Sequence, residues 1–168
     1  MPGYDFTKFV KRITLQRTIP LQKIYAAWTT QEGMESWFLR LAEFSNANGE
    51  KRRPNEPVRT GDTYKWLWFG YDDTTGEVSS VLDTNNKDMF RFGFSGGCIV
   101  TVTIKEENNE TICELVQQMP MDNKEEQQYF YIECGKGWTF YMANLKSVLE
   151  GGVDLRNKNA EIGNVINA

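Results

Sequence analysis

The sequence predicts an α+β fold in which an antiparallel sheet packs against one long helix. Short alternating segments fill the middle of the 168-residue chain, and one continuous amphipathic segment covers about 122–150. The strands do not alternate with helices, as they would in a parallel crossover pattern. The long helix has an apolar surface, and the sheet is the one partner large enough to bury it.

The first element is a strand, and two short helices follow it. Alternation is clear in FVKRITLQRTI, where Ile13, Leu15 and Ile19 share one face of the strand. Pro20 then opens a helix, because proline is well placed in a first helical turn. Thr30 can cap the second helix, QEGMESWFLRL. The apolar positions are Leu21, Ile24 and Trp28 in the first helix and Met34, Trp37, Phe38 and Leu41 in the second.

A long loop separates these helices from the strands of the middle region. Residues 45–62 are polar and contain two prolines, which predicts a loop that is mobile or functional. About five or six strands follow, joined by turns such as DDTTG and Gly96–Gly97. The larger residues that share one face of each strand are Tyr64, Trp66 and Trp68; Phe90, Phe92 and Phe94; Val100, Val102 and Ile104; and Cys113, Leu115, Gln117 and Met119.

The closing helix carries an apolar stripe and two glycines that need an explanation. Gly151–Gly152 end this helix. Gly135 and Gly137 each cost about 1 kcal/mol relative to alanine inside a helix. They either leave room for a ligand beside Trp138, or they allow close approach to the sheet or mark a kink. The stripe consists of Trp138, Met142, Leu145 and Leu149.

The composition excludes two classes of partner. The net charge is -4, and the basic cluster Lys51–Arg53 is too short for a nucleic-acid interface. No stretch of about 18 apolar residues occurs, so the sequence predicts no membrane span. The N-terminal segment MPGYDFTKFVKR lacks the apolar core of a signal peptide, which predicts a cytoplasmic location.

The chain contains no histidine, which removes Ser-His-Asp catalysis, Cys-His catalysis and imidazole metal sites. Cys98, Cys113 and Cys134 are widely spaced, which predicts reduced thiols. The carboxylates show no calcium-loop spacing, so neither a metal nor another cofactor is predicted. An enzyme would have to use carboxylates, Lys, Tyr or Cys, and Glu114 and Glu133 are the candidate carboxylates. Because no catalytic constellation is recognisable, the sequence favours binding over catalysis.

Three segments together resemble one known family. IPLQKIYAAWTTQEGMESWF is similar to the opening of Activator of Hsp90 ATPase homologue-1-like domains, which belong to the START/Bet v 1-like (SRPBCC) superfamily. GEVSSVLDTNNKDMFRFGF resembles the middle strands of that family, and GWTFYMANLKSVLEGG resembles its closing helix. The resemblance spans roughly residues 9–152. The matching positions are Ile24, Trp28, Thr29, Thr30, Trp37, Gly137, Trp138, Leu145 and Leu149.

The resemblance implies a helix-grip fold. In this fold a curved antiparallel sheet of about six to seven strands wraps around the long C-terminal helix. The two short helices after the first strand partly close a cavity between sheet and helix. The resemblance also implies one START/Bet v 1-like domain over 1–168, with a core at about 9–152 and a polar C-terminal tail at 153–168.

The same resemblance implies that the cavity binds a small apolar or amphipathic molecule. Two alternatives stay open. One is a protein-interaction domain, either a homodimer or a partner of an Hsp90-type chaperone. The other is a cavity enzyme of the cyclase or hydrolase type. For each aromatic residue taken alone, plain core packing is the competing explanation. The predicted cavity residues are Trp28, Trp37, Trp66, Trp68, Phe92, Phe94, Gln117, Gly135, Trp138, Tyr141 and Met142.

Overall fold

Seven antiparallel strands form one curved sheet in the computed structural model, which describes residues 3–165. Residues 1–2 and 166–168, at the two ends of the predicted domain, lie outside the described residues. A 3-10 turn at Ser95–Gly97 joins two of the strands. The elements are β1 Lys8–Leu15, α1 Leu21–Thr29, α2 Gln31–Trp37, β2 Leu41–Ser45, β3 Thr63–Leu67, β4 Gly76–Thr84, β5 Met89–Phe94, β6 Cys98–Glu107, β7 Glu110–Gln118 and α3 Lys124–Leu149.

The order of strands in the sheet is β1-β7-β6-β5-β4-β3-β2. The strands from β2 to β7 therefore form a meander, and β1 adds to the outer edge of β7. Helices α1 and α2 carry the chain from one edge of the sheet to the other, because β1 and β2 are the two edge strands. The predicted α+β class and helix-grip architecture are confirmed.

The turn between α1 and α2 depends on two residues that the sequence places side by side. The Gly33 backbone N–H donates to Thr30 Oγ1 at 2.9 Å, so Thr30 caps α2 as predicted. A Cβ atom at Gly33 would lie 2.0 Å from the Ala26 carbonyl oxygen. Only glycine therefore allows the two helices to meet this closely.

The second helix is shorter than predicted. It ends at Trp37, and Leu41, which the apolar pattern assigned to the helix, is instead the first residue of β2. The backbone explains the change, because the Arg40 N–H donates to the Leu67 carbonyl at 2.8 Å and Leu41 then pairs with Leu67 on β3. Pairing with the sheet edge outweighs the weak helical preference of the segment.

The core lies between the concave face of the sheet and the apolar stripe of α3. The predicted stripe is confirmed, with Trp138, Met142, Leu145 and Leu149 all buried. Asn123 caps the helix by accepting hydrogen bonds from the N–H groups of Glu125 and Glu126. At its other end the chain turns at Gly151, whose φ of 80° lies in the left-handed region.

The loop between β2 and β3 is anchored at two points. The Arg52 guanidinium binds the carboxylate of Asp62 and also donates to Glu56 at 2.7 Å. Val58 is fully buried, and its N–H donates to the Thr29 carbonyl at 2.8 Å. The Val58 contact holds the predicted loop against the end of α1, and the Arg52 contacts connect residues within the loop.

The segment that follows α3 folds back onto α2. The buried Arg156 side chain donates to the carbonyl oxygens of Leu39 and Glu35, both at 3.0 Å. Asp154 pairs with this guanidinium at 2.7 Å. Asn144 of α3 joins the network, since it donates to the Trp37 carbonyl at 2.6 Å and accepts from the Leu155 N–H at 2.8 Å. We call Asn144, Asp154, Leu155 and Arg156 the C-terminal latch.

Candidate functional site

A cleft of about 360 Å³ opens between residues 129–141 of α3 and the ends of β3, β4 and β5. We call it the α3 cleft. Aromatic rings form most of its wall, and a few polar side chains lie among them. The lining residues are Phe38, Trp68, Tyr71, Thr75, Gly76, Glu77, Phe94, Ser95, Tyr129, Phe130, Glu133, Cys134, Gly137, Trp138 and Tyr141.

Local sequence explains why the cleft has a firm wall at the start of α3. Gly96 in the 3-10 turn has a φ of 66°, and a Cβ there would lie 2.0 Å from Cζ of Phe130. The bare backbone of this turn is therefore the surface on which the Phe130 ring packs. This contact joins the first turns of α3 to the end of β5 and fixes one side of the cleft.

Four of the predicted cavity residues lie together on the wall of the α3 cleft, namely Trp68, Phe94, Trp138 and Tyr141. The structure places the other predicted residues outside that wall, in or beside the packed core. They are Trp28, Trp37, Trp66, Phe92, Gln117, Gly135 and Met142. Their contact with a ligand stays a prediction.

The rings outside the cleft are packed against one another. Trp28 and Trp37 meet edge to face with centroids 4.6 Å apart, and the Trp37 Nε1–H donates to the Ala27 carbonyl at 2.8 Å. Trp66 stacks on Tyr64 at 3.7 Å. Offset and edge-to-face contacts of this kind stabilise buried aromatic clusters. Large rings therefore fill the space around α1 and α2.

The two glycines of α3 occupy different environments. A Cβ added at Gly135 would lie 3.1 Å from Cε2 of Phe9 on β1, which is tighter than ordinary van der Waals contact. The close-approach explanation therefore applies at Gly135. Gly137 lines the α3 cleft beside Trp138. Whether the space at Gly137 serves a ligand stays a prediction.

The Trp138 indole is fixed in the cleft wall by a buried hydrogen bond. Its Nε1–H donates to Gln117 Oε1 at 2.7 Å. Gln117 is fully buried on β7, and its amide oxygen accepts this hydrogen bond from the indole instead of facing the cleft. Gln117 therefore orients one wall of the cleft from behind, although the sequence placed it inside the cavity.

Glu77 is the acidic group that the sequence did not single out. It pairs in register with the fully buried Trp66, so both side chains lie on the helix side of the sheet. Burial raises the pKa of Glu77, and a hydrogen bond from Ser95 Oγ at 2.8 Å partly offsets that effect. Period-two alternation with the buried Val81 on the same strand was a usable signal for this position.

The two acidic residues that the sequence proposed for catalysis lie in different places. Glu133 lines the cleft, where its carboxylate pairs with Lys136 at 2.7 Å. Glu114 is not in the cleft lining and forms ion pairs with Arg12 at 3.0 Å and Lys105 at 3.4 Å. Its role is therefore to connect neighbouring strands on the outer face of the sheet.

The cysteines are free thiols. Burial raises the pKa of Cys98 and of Cys113 to about 12. Burial also raises the pKa of Cys134, which lines the cleft. A raised pKa keeps the thiol protonated at neutral pH, so the surroundings of Cys134 do not favour a nucleophilic thiolate.

This architecture defines an α+β protein of the START/Bet v 1-like class, with a helix gripped by a curved antiparallel sheet. The family model of Activator of Hsp90 ATPase homolog 1-like protein matches residues 18–150, and the chain belongs to that family. No curated protein matches the chain in sequence. The resemblance to this family is confirmed.

Solved structures of similar fold come from several bacteria. A protein from Staphylococcus saprophyticus has a TM-score of 0.65 at 17% identity, covering 89% of this chain and 96% of its own. The Aha1 dimer from Colwellia psychrerythraea has a TM-score of 0.61 at 20% identity, and the match covers 86% of this chain and 97% of that one. DynU16, from the dynemicin biosynthetic locus, has a TM-score of 0.63 at 20% identity, and the match covers 90% of this chain and 50% of that one. At these identities the likeness concerns the fold.

No helix within residues 3–165 combines the length and the apolar character needed to cross a bilayer.

Proposed function

We propose that the chain binds a small apolar or amphipathic molecule in the α3 cleft. The observation that carries this proposal is an aromatic-walled cleft of about 360 Å³ beside a core that is otherwise filled. Ligand sites in proteins range from about 300 to 1,000 Å³ and combine apolar walls with a few polar groups. The cleft meets both criteria.

The arrangement of exposed and buried rings also supports ligand entry. Tyr129 is 60% exposed and Tyr71 is 37% exposed, which places both at the rim. Trp138 is only 2% exposed and forms a deep part of the wall. A ligand that enters past the tyrosines would exchange water for contact with the indole, which is favourable for apolar surface.

A larger side chain at Gly137 gives the most direct test of ligand binding in the cleft. Gly137→Leu places a branched side chain on the cleft wall, and Ala143→Leu adds the same kind of bulk on the exposed side of the same helix. Gly137→Leu raises the helix propensity of its position, and Ala143→Leu lowers it only slightly. The probe is N-phenyl-1-naphthylamine, an uncharged dye that becomes fluorescent in apolar surroundings, and its affinity is measured by titration.

We expect the wild type and Ala143→Leu to bind the dye equally and Gly137→Leu to bind it at least tenfold more weakly. Equal dye binding by Gly137→Leu would contradict the proposal. Native mass spectrometry of gently purified protein, before and after denaturing extraction, then identifies the natural ligand as a releasable adduct. A cytoplasmic location stays a prediction.

A second candidate function is an interaction between two protein surfaces. The ring centroids of Tyr4 and Tyr131 are 6.3 Å apart, and Tyr4 is 78% exposed. A related fold forms the Aha1 dimer of Colwellia psychrerythraea. A homodimer, or a complex with an Hsp90-type chaperone, would use an exposed surface of this kind. Sedimentation of the purified protein, alone and with a bacterial Hsp90, tests both arrangements.

A further inference from the structure

We propose that the ligand of the α3 cleft is an organic cation, a positively charged nitrogen centre attached to an apolar body. The inference rests on the proposed binding function and names the chemical class that the cleft selects. Two carboxylates, Glu77 and Glu133, line the cleft. Among the described residues of its lining, none is Lys or Arg.

The position of Glu77 is set by the sheet. In the antiparallel register of β3 and β4, Glu77 lies opposite Trp66, and paired residues project to the same face. Trp66 is fully buried on the helix side, so the Glu77 carboxylate lies on that side as well. Because β4 alternates, Val81 occupies the same face and is also buried. The carboxylate is therefore part of the cleft by backbone geometry.

Glu77 has one neutral hydrogen-bond donor and no cationic partner in the described part of the chain. Ser95 Oγ donates to its carboxylate at 2.8 Å, and no Lys or Arg forms an ion pair with it. A partly buried carboxylate is best stabilised by an opposite charge. Burial raises the pKa of Glu77, which agrees with a carboxylate that lacks a cation.

The positively charged side chains near the cleft already pair with acidic residues of the protein. Lys136 pairs with Glu133 on the outer side of α3, where its side chain is 64% exposed. Arg156 is buried in the C-terminal latch, where Asp154 and backbone carbonyls bind it. An anionic ligand would therefore meet carboxylates without a free cation, while a cationic ligand would supply the partner that Glu77 lacks.

The aromatic wall favours the same class of ligand. Phe94 lies between Trp68 and Trp138, with ring centroids 6.3 Å and 5.3 Å away. The faces of such rings carry negative charge density and attract cations that approach within about 6 Å. An ammonium group held between Glu77 and these rings would gain from both contacts, while its apolar body occupies the rest of the cleft.

A pair of probes that differ only in charge tests the inference. The cation is (4-hydroxybenzyl)trimethylammonium, and its neutral counterpart is 4-neopentylphenol, in which carbon replaces the charged nitrogen. Both are titrated by calorimetry at low ionic strength, because salt screens the charge interaction. We expect the cation to bind about tenfold more tightly, as a partly desolvated cation–π contact and an ion pair would produce.

The variants identify which carboxylate is responsible. Glu77→Gln keeps the size of the side chain and a carbonyl oxygen for Ser95. In this variant the cation and the neutral probe should bind with equal affinity. Glu114→Gln, on the outer face of the sheet, should alter neither affinity.

The outcomes separate this inference from the proposed function. If both probes bind the wild type with equal affinity, cation selection is wrong and the binding function stands. Tighter binding of the neutral probe has the same meaning. If neither probe binds and the uncharged dye also fails, both proposals are overturned. The comparison of probes on the wild type needs no variant, so it remains decisive if Glu77→Gln does not fold.

Discussion

Two stretches of α3, residues 129–141 and 144–149, face the same sheet but differ in how completely the space beside them is filled. In the stretch 144–149, Leu145 and Leu149 are buried, and Asn144 connects the helix to α2 and to the latch. In the stretch 129–141, Gly137 and Trp138 border the α3 cleft. One helix thus combines a closed, strongly connected end with an open one.

The comparison indicates how stabilising contacts are distributed along α3. Filled packing and buried hydrogen bonds stabilise a native state, whereas an open cleft forgoes those contacts in exchange for space. Because the latch holds the stretch 144–149 in place, substitutions of side chains that border the cleft should have a smaller effect on folding. Substitutions in the filled region and at the cleft should therefore differ in their effect on stability.

The largest expected effect is in the filled core at α1 and α2, which Asn144 connects to the closed end of α3. Trp37→Ala removes a fully buried ring that packs on Trp28 and should lower the free energy of unfolding by about 3–5 kcal/mol. Tyr129→Ala, at the rim of the cleft, should change it by less than about 0.5 kcal/mol. Urea unfolding followed by circular dichroism measures both. Similar losses for the two variants would contradict the difference between the filled core and the rim of the cleft.

The latch should give the next largest effect. Arg156→Ala leaves the carbonyls of Leu39 and Glu35 without donors and should destabilise the protein by about 2–3 kcal/mol. Lys158→Ala also removes a charge that pairs with Asp154, but that lysine is half exposed. It should cost less than about 1 kcal/mol. If the lysine variant were the less stable of the two, the buried guanidinium would not be the main contact.

Acid should also destabilise the C-terminal latch, through protonation of Asp154. Burial alone would raise the pKa of Asp154, but hydrogen bonds from Arg156, Lys158 and Asn144 outweigh it and lower the pKa well below the ordinary value of 3.8. The carboxylate therefore stabilises the folded state fully above that value, and the contribution is lost as pH falls through the lower, folded pKa.

The measurement is the urea midpoint of the wild type and of Asp154→Asn between pH 6 and pH 2. The wild type should be more stable at pH 6, and the difference should shrink as the pH falls below about 4. A constant difference across this range would show that the charge of Asp154 contributes nothing to the latch.

The sequence was sufficient to predict the fold but only part of the cleft. Period-two patterns identified the buried faces of the strands, and Thr30 marked the start of α2. Neither signal reaches the latch, because Arg156 binds carbonyls 117 and 121 residues earlier in the chain and lies in a segment without periodicity. Likewise, Glu77 and Glu133 line the same cleft only because of where the fold places β4 and α3. Contacts of this kind depend on tertiary placement rather than on local pattern.

The smallest expected effect compares two neighbouring glycines. Alanine at a helix position is about 0.5–1 kcal/mol more favourable than glycine. Gly137→Ala should therefore stabilise the protein by about that amount, since Gly137 borders the cleft. Gly135→Ala should gain less or lose stability, because its new methyl group would press on the Phe9 ring at 3.1 Å.

The sign of the difference between these two variants decides the point. Urea midpoints of Gly135→Ala and Gly137→Ala, measured side by side, cancel the common helix preference and leave the local packing as the difference. A higher midpoint for Gly137→Ala supports open space beside Trp138 and close packing against β1. The reverse order would place the tight contact at Gly137, and the α3 cleft would then be too narrow there to receive a ligand.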